Sequence, residues 1–484
     1  MNYRMVSYII GQIVRVEGIL MIPSLVVSVI YGESAFAAFL IPIVLSVAAG
    51  TLLTIKKPSN PDIFAKEGFV TVGLSWIIMS LIGALPFVID GCIPSFVDAF
   101  FETVSGFTTT GASILTEIES LGRGMLFWRS FTHFVGGMGV LVFVLAILPQ
   151  ADTRSVKLMH VMRAEVPGPK VGKLVSKIGR TARIMYGIYI GLTVIEMILL
   201  LAGGMPVYGS IVNSFATAGT GGFAIKNASI AAYDSAYIDY VIGIFMFLFG
   251  VNFNLYYLIL IGHVGEALRS EELRWYLIIT GVSTALIAAD IYEIFGTVGE
   301  SVRYAFFQVT SVMSTTGFAT SDYNAWPALS KVILALLMFC GACVGSTTGG
   351  IKVGRIILLV KSGLREVKYM LHPRAVVAVR SEGKPVERDV LRGANSYMIV
   401  YIMLFTVSLF LVEMVEECDL VTGFTAVSAC LNNVGPGLGE VGPAGNFSAL
   451  TPFTKILLSV DMLAGRLEIF PLLMLFAPST WRGR

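Results

Sequence analysis

Charged side chains are scarce in this chain. Only 14% of its 484 residues are Asp, Glu, Lys or Arg, where soluble domains carry about 25%, so a water-facing surface cannot be covered in the usual way. Cysteine is scarce as well. Five dispersed residues exclude a disulfide framework. Cys340 and Cys343 form a C-x-x-C inside an apolar run without a nearby histidine, which reads as small packing residues more readily than as a metal or redox site. Cys92 and Cys418 fall on outward-facing loops, and their pairing stays open. The four histidines, at 133, 160, 263 and 372, show no metal-binding spacing, and no nucleophile motif is present. An intramembrane enzyme would need a cluster of His, Asp, Glu or Cys at catalytic spacing, so an enzyme is not expected. The chain has no dinucleotide fingerprint, no P-loop and no soluble stretch large enough to hold a nucleotide. With 34 basic against 32 acidic residues the net charge is +2, and no nucleic-acid partner is expected.

What remains is apolar. Hydrophobic residues make up 55% of the chain, mean hydropathy is +0.79, and runs of the roughly 20 residues needed to span a bilayer recur throughout. The chain therefore reads as an all-α polytopic membrane protein. The first run, "SYIIGQIVRVEGILMIPSLVVSVIY", exceeds a signal-peptide core and lacks a small-residue cleavage site, so it reads as a retained span. Basic residues gather after "TLLTIKKPS", in "RSVKLMHVMRAEVPGPKVGKLVSKIGRTAR" and in "KSGLREVKYMLHPRAVVAVRSEGKPVERDVLR". That bias makes their side cytoplasmic, with both termini on it. The opposite loops hold Asp98, Glu102, Glu117, Asp234, Asp322, Glu417, Asp419 and Glu440, which predicts a mildly acidic outer mouth that concentrates cations.

Two N-terminal helices are expected around Ser7–Tyr31 and Ala35–Thr54. One pattern then returns four times: a long span, a short semi-apolar segment, a glycine-bearing loop and another long span. The short segments are "PSFVDAFFETVSGF", "PVYGSIVNSFATA", "TVGESVRYAFFQVTSVM" and "CDLVTGFTAVSACL", too short to cross the hydrocarbon core and suited to re-entering it. Aligned on glycine, the loops read Thr108-Thr109-Thr110-Gly111, Gly219-Thr220-Gly221-Gly222, Ser314-Thr315-Thr316-Gly317 and Asn432-Asn433-Val434-Gly435. In the second, Gly222 is preferred over Gly221 because Phe223 then matches Phe318. The pattern divides the chain into a two-helix extension (1–65) and four pore repeats (66–163, 164–272, 273–373 and 374–484).

Non-helical backbone at membrane depth survives only when buried in protein or lining a watery path. Four such loops satisfy that constraint together by meeting on one axis. Inward carbonyls can replace the hydration shell of a cation, and the preceding short helices aim their negative dipole ends at it. Candidate ion-binding residues are Thr109, Thr110 and Gly111; Thr220, Gly221 and Gly222; Thr315, Thr316 and Gly317; and Asn433, Val434 and Gly435.

The chain resembles the TrkH/KtrB superfamily of potassium-uptake membrane subunits, in its TrkH branch. The resemblance is carried by "FFETVSGFTTTGAS", "WRSFTHFVGGMGVLVFVLAILP", "RAEVPGP", "TGGFA", "QVTSVMSTTGFAT", "GSTTGGIKVGRI", "HPRAV", "LNNVGPGLGEVG" and "GRLEIFPLLMLFAPSTWR". It covers essentially the whole length, including the two extra N-terminal helices. It implies four membrane–pore–membrane repeats around one pore per subunit, a homodimer, the plasma (inner) membrane of a prokaryote, and a cytosolic TrkA-type ring that binds the regulatory nucleotide. It also implies potassium as the transported ion, since all four filter loops keep glycine, and no cofactor beyond that ion.

Two gates are expected. "FCGACVGSTTGGIKVGR" interrupts the second span of the third repeat. Each glycine there costs about 1 kcal/mol against alanine in a helix. A kinked, closely packed helix accounts for the run; the resemblance implies a flexible plug built from Gly345, Ser346, Thr347, Thr348, Gly349 and Gly350, with Lys352 and Arg355 as a handle for a partner. In "DMLAGRLEIFPLL" the Arg466 charge lies within apolar sequence, where charges face an aqueous or paired interior. An ion pair with Asp461 or Glu468 is one reading, and a cation beneath the filter, as the resemblance implies, is the other. The alternative to a channel-like pore is a symporter coupling K⁺ to H⁺ or Na⁺, for which Asp461, Glu468 and Glu196 are the candidate titrating groups. A partner is expected on 361–392, a basic stretch that equally suits an anchor to anionic lipid.

Overall fold

The computed structural model describes residues 1–58, 60, 64–139, 178–374 and 377–481. The basic stretch after Gln150, the "RAEVPGP" motif, His160, the whole of "VFVLAILP" and the last residues of the chain lie outside the described residues.

The described residues are mostly helical. Six helices are long and apolar enough to cross a membrane: Tyr3–Ile30, Phe36–Thr54, Lys66–Asp90, Arg183–Ala202, Glu271–Asp290 and Arg388–Val415. The first two match the expected N-terminal pair. They pack through small residues: a Cβ added to Gly50 would overlap the Gly11 carbonyl and the Arg15 backbone. Such close approach is how helices associate where lipid removes the hydrophobic drive.

The four expected re-entrant segments are helices at Phe96–Phe107, Val207–Gly219, Val298–Met313 and Leu420–Leu431. They run 12 to 16 residues and rise about 18–24 Å at about 1.5 Å each, short of the roughly 30 Å bilayer core. Ser95 and Thr297 cap two of them by accepting from Asp98 N and Glu300 N. The last residues of all four helices are fully buried, so their carboxyl ends point into the protein, not at lipid.

The closing span of each repeat departs from expectation. Sequence suggested one broken helix, in the third repeat, but the helix after each filter loop stops early. Arg123–Gly137, Ala236–Phe249, Ala328–Cys340 and Pro452–Arg466 run 13 to 15 residues. In the second repeat the chain resumes at Phe253–Leu260 after a 91° bend, with Asn252 capping the new helix through Asn254 N. In the fourth, Glu468 and Ile469 take positive φ before Phe470–Phe476. Glycine at 250 eases the second break; the fourth is made by two non-glycine residues, which no composition rule flags.

Candidate functional site

Each short helix ends in the same hydrogen-bonded cap. The N–H groups of Thr110, Gly221, Thr316 and Val434 reach back five residues, to the carbonyls of Ser105, Ala216, Ser311 and Ala429, at 2.8–2.9 Å. Those of Thr109, Thr220, Thr315 and Asn433 reach back three. This pair of bonds defines the Schellman motif, which needs a left-handed residue at its centre. Thr109, Thr220, Thr315 and Asn433 all sit at φ 55°. A β-branched residue there is an outlier, and it occurs in three of the four copies. Sequence reading gave the left-handed freedom to the glycines alone; the one local signal it passed over is Asn433, since asparagine tolerates this region.

Past the cap, Gly111, Gly222, Gly317 and Gly435 turn at φ 82°, 75°, 83° and 95°. A second constraint holds each of them. A Cβ added to Gly111 would overlap the carbonyl oxygen of Gly221; on Gly222, that of Thr316; on Gly317, that of Val434; on Gly435, that of Thr110. First loop touches second, second third, third fourth, and fourth first. The contact order closes, so the four turns form one ring. The four carbonyls of Thr110, Gly221, Thr316 and Val434 occupy equivalent places in it. A cavity of about 140 Å³ opens above the ring and is lined by all four glycines.

Side chains brace the ring from behind. Thr108 Oγ1 and Thr110 Oγ1 are 2.8 Å apart, as are, at 2.7 Å, Ser314 Oγ and Thr316 Oγ1. Asn433 Nδ2 donates to Thr110 Oγ1 across the join of the fourth and first loops, and Tyr401 OH donates to Asn432 Oδ1. Arg129 pairs with Glu102 at 2.5 Å with both side chains buried. It also donates to Ser113 Oγ and the Ala224 carbonyl and lies 3.7 Å above the Phe223 ring, joining the exits of the first two loops. Truncating one partner of a buried ion pair typically costs about 3–5 kcal/mol. Glu102→Ala is therefore expected to lower the unfolding temperature of the purified protein sharply, and an unchanged transition would contradict this role.

The mouth is not acidic. No carboxylate lines the cavity among the described residues; of the expected acids, Glu102 is engaged by Arg129 and Asp98 by Lys455 at 2.7 Å, and the neighbouring Glu119 is paired with Lys226 at 2.8 Å. The hydrogen bond from Lys226 holds the Glu119 carboxyl below its ordinary pKa and raises the lysine's in turn. Backbone and hydroxyl groups line the cavity together with Arg129 and Lys226.

Directly against the inner side of the ring lies the interruption of the third repeat. Gly341, Gly345 and Gly350 are at positive φ, and the run between Cys340 and Val353 is an irregular loop. Gly349 N donates to Thr315 Oγ1 at 2.7 Å, and a Cβ on Gly349 would overlap the Asn432 carbonyl, so Gly349 abuts two turns of the ring. Ser346 Oγ and Thr348 Oγ1 sit 2.8 Å apart, and Thr347 Oγ1 donates to the Phe249 carbonyl. Glu272 Oε1 accepts from Val344 N and Gly354 N, clasping both ends of the loop. Lys352 and Arg355, expected as a handle for a partner, are both engaged within the chain. Lys352 is buried and donates back to Thr348, while Arg355 pairs with Glu468 at 2.5 Å and covers the Tyr397 ring.

Arg466 lies on the other flank of that loop. Its guanidinium donates to the Thr347 carbonyl at 2.6 Å and to the Gly136 and Gly137 carbonyls at 2.6 and 2.7 Å. The two candidate acids are engaged otherwise: Asp461 accepts from Ser408 Oγ at 2.8 Å, and Glu468 takes Arg355. The carbonyls at the end of Arg123–Gly137, together with that helix's negative dipole end, help offset the charge.

The comparisons agree with this architecture. Residues 35–482 match the family model described as "TrkH: Cation transport protein". The chain is 37% identical over 489 residues to the Trk system potassium uptake protein TrkH of Escherichia coli K12, with both chains covered completely. It is 35% identical to the Trk system potassium uptake protein TrkG of the same strain, covering 100% of this chain and 99% of that one. Among solved structures, the potassium transporter TrkH from Vibrio parahaemolyticus superposes with a TM-score of 0.90 at 31% identity over the full length of both. The chain belongs to the TrkH family of cation transport proteins, as a polytopic all-α membrane protein.

Proposed function

We propose that this protein takes up potassium across a prokaryotic plasma membrane through the ring of four loops, as a gated, channel-like pore. The observation that carries the reading is the closed contact order of the ring, in which the carbonyls of Thr110, Gly221, Thr316 and Val434 alternate with Gly111, Gly222, Gly317 and Gly435. An alkali ion entering such a ring exchanges water for peptide oxygen. Thr109, Thr220, Thr315 and Asn433 hold each turn at the angle that aims those oxygens. Relatives named as Trk system potassium uptake proteins support potassium as the ion.

Beneath the ring, residues 345–350 and Arg466 form the closed gate. The loop obstructs the path where Gly349 meets the filter, and Arg466 adds a positive charge and ties Thr347 to the end of the neighbouring helix. Opening requires the loop to leave Thr315 and Arg466 together. Nucleotide sensing would fall to a cytosolic TrkA-type partner, with this chain as a homodimer whose termini are cytoplasmic.

The test is rubidium uptake into liposomes holding the purified protein, driven by membrane potential alone and competed by sodium. Uptake that tracks voltage, resists sodium and needs no proton or sodium gradient is expected. Uptake that stops without such a gradient would replace the pore by a coupled symporter.

A further inference from the structure

Three of the four turns are braced by their own side chains. Thr108 meets Thr110, Ser314 meets Thr316, and Asn432 and Asn433 bond to Tyr401, Thr110 and Met462. The second turn has glycine at 219 and 221, where the first and third carry paired hydroxyls, and its own side-chain bond runs only from Thr220 Oγ1 to the adjacent Gly219 carbonyl at 2.7 Å. The space is filled from another element. A Cβ on Gly221 would overlap the imidazole of His133, and one on Gly219 would overlap the His133 carbonyl. The fully buried ring has Nδ1 at 2.7 Å from the Gly106 carbonyl, accepts from Phe223 N through Nε2 at 3.3 Å, and packs against the Phe223 ring at a tilt of 34° with centroids 4.2 Å apart. One neutral tautomer, with its proton on Nδ1, satisfies both contacts. It joins the last turn of the first short helix to the residue after Gly222.

We propose that His133 is a specificity-determining positioning residue: it supplies in trans the brace the second turn lacks, and so sets where the Gly221 carbonyl stands in the ring. The two glycines and the histidine are a matched set, in which Gly221 makes room for the imidazole and Gly219 for the His133 carbonyl. The inference rests on the ring being the potassium filter. His133 touches no ion in this account; it acts through Gly221 and Gly222.

The experiment compares wild type, His133→Ala and the double variant His133→Ala, Gly221→Thr, which puts a hydroxyl of the second turn's own into the volume the imidazole leaves, as Thr316 does in the third; Gly219 stays, because the His133 carbonyl fills the place of its Cβ. The readout is sodium competition against rubidium uptake in liposomes. Losing the two hydrogen bonds of the imidazole is expected to reduce potassium-over-sodium discrimination roughly tenfold or more in His133→Ala, with part of the loss recovered in the double variant. A purely structural role would change the amount of folded protein and leave the discrimination of the folded fraction untouched. Wild-type discrimination in His133→Ala, or a double variant no better than the single one, overturns the proposal. If His133→Ala does not fold, the double variant decides: folded and selective supports the brace, and unfolded overturns it. Gly111→Ser is run alongside. If it shifts discrimination while the His133 variants do not, the brace alone fails; if neither shifts, the filter reading fails with it.

Discussion

Gly111→Ser is expected to abolish most of the preference for potassium over sodium while leaving the protein folded. The side chain has nowhere to go. Its Cβ would occupy the position of the Gly221 carbonyl oxygen, and the backbone angle of 82° is one that serine adopts only under strain. The carbonyl must therefore move, and with it one quarter of the ring. Overpacking of this kind costs about 1–3 kcal/mol, so discrimination should fall by roughly tenfold to a hundredfold if the strain appears as a misplaced ligand oxygen. Gly281, which has no atom within 4 Å of its would-be Cβ, is the control: Gly281→Ala should leave ion competition unchanged. Competition curves for Gly111→Ser that superimpose on wild type would contradict the assignment of the ring.

Arg466→Ala is expected to raise potassium flux at equal protein amount. Two effects act in the same direction. The substitution removes a positive charge from the path, and it removes the three hydrogen bonds that tie the loop at Thr347 to the helix end at Gly136 and Gly137. Hydrogen bonds from a charged donor contribute about 1.5–3 kcal/mol each, so even one of them lost from the closed state alone shifts the open fraction by roughly tenfold or more. Arg466→Lys keeps the charge but not the planar fork that reaches two elements at once, and should give intermediate flux. Flux in Arg466→Ala equal to or below wild type would remove Arg466 from the gate.

Much of this was legible in the sequence because hydropathy and length constrain membrane helices so tightly. The N-terminal pair and the four short helices could be read from run lengths alone, since a dozen apolar residues cannot span and must re-enter. The four glycines were legible through recurrence. Their deeper reason, the neighbouring carbonyl in the volume of each missing Cβ, depends on the order in which distant loops meet, and that order is written in no local segment.

Other features were hidden for identifiable reasons. Thr109, Thr220 and Thr315 adopt an angle their branched side chains disfavour, so propensity pointed away from them. The break after Arg466 carries no glycine, and its helix is stopped by Glu468 and Ile469 at positive φ. Asp461 lies five residues before Arg466 in the same apolar run and invited an ion pair; Ser408, from the long helix Arg388–Val415, holds it instead. Lys352 was misplaced because a basic residue near a span's end usually reaches water, whereas here the irregular loop folds it back onto Thr348.

The most direct measurement is an anomalous difference map of the protein crystallised with rubidium. The account predicts density on the axis enclosed by the carbonyls of Thr110, Gly221, Thr316 and Val434, in line with the cavity above and stopped below by residues 345–350. Rubidium bound only elsewhere, with those four carbonyls turned away from a common centre, would contradict it.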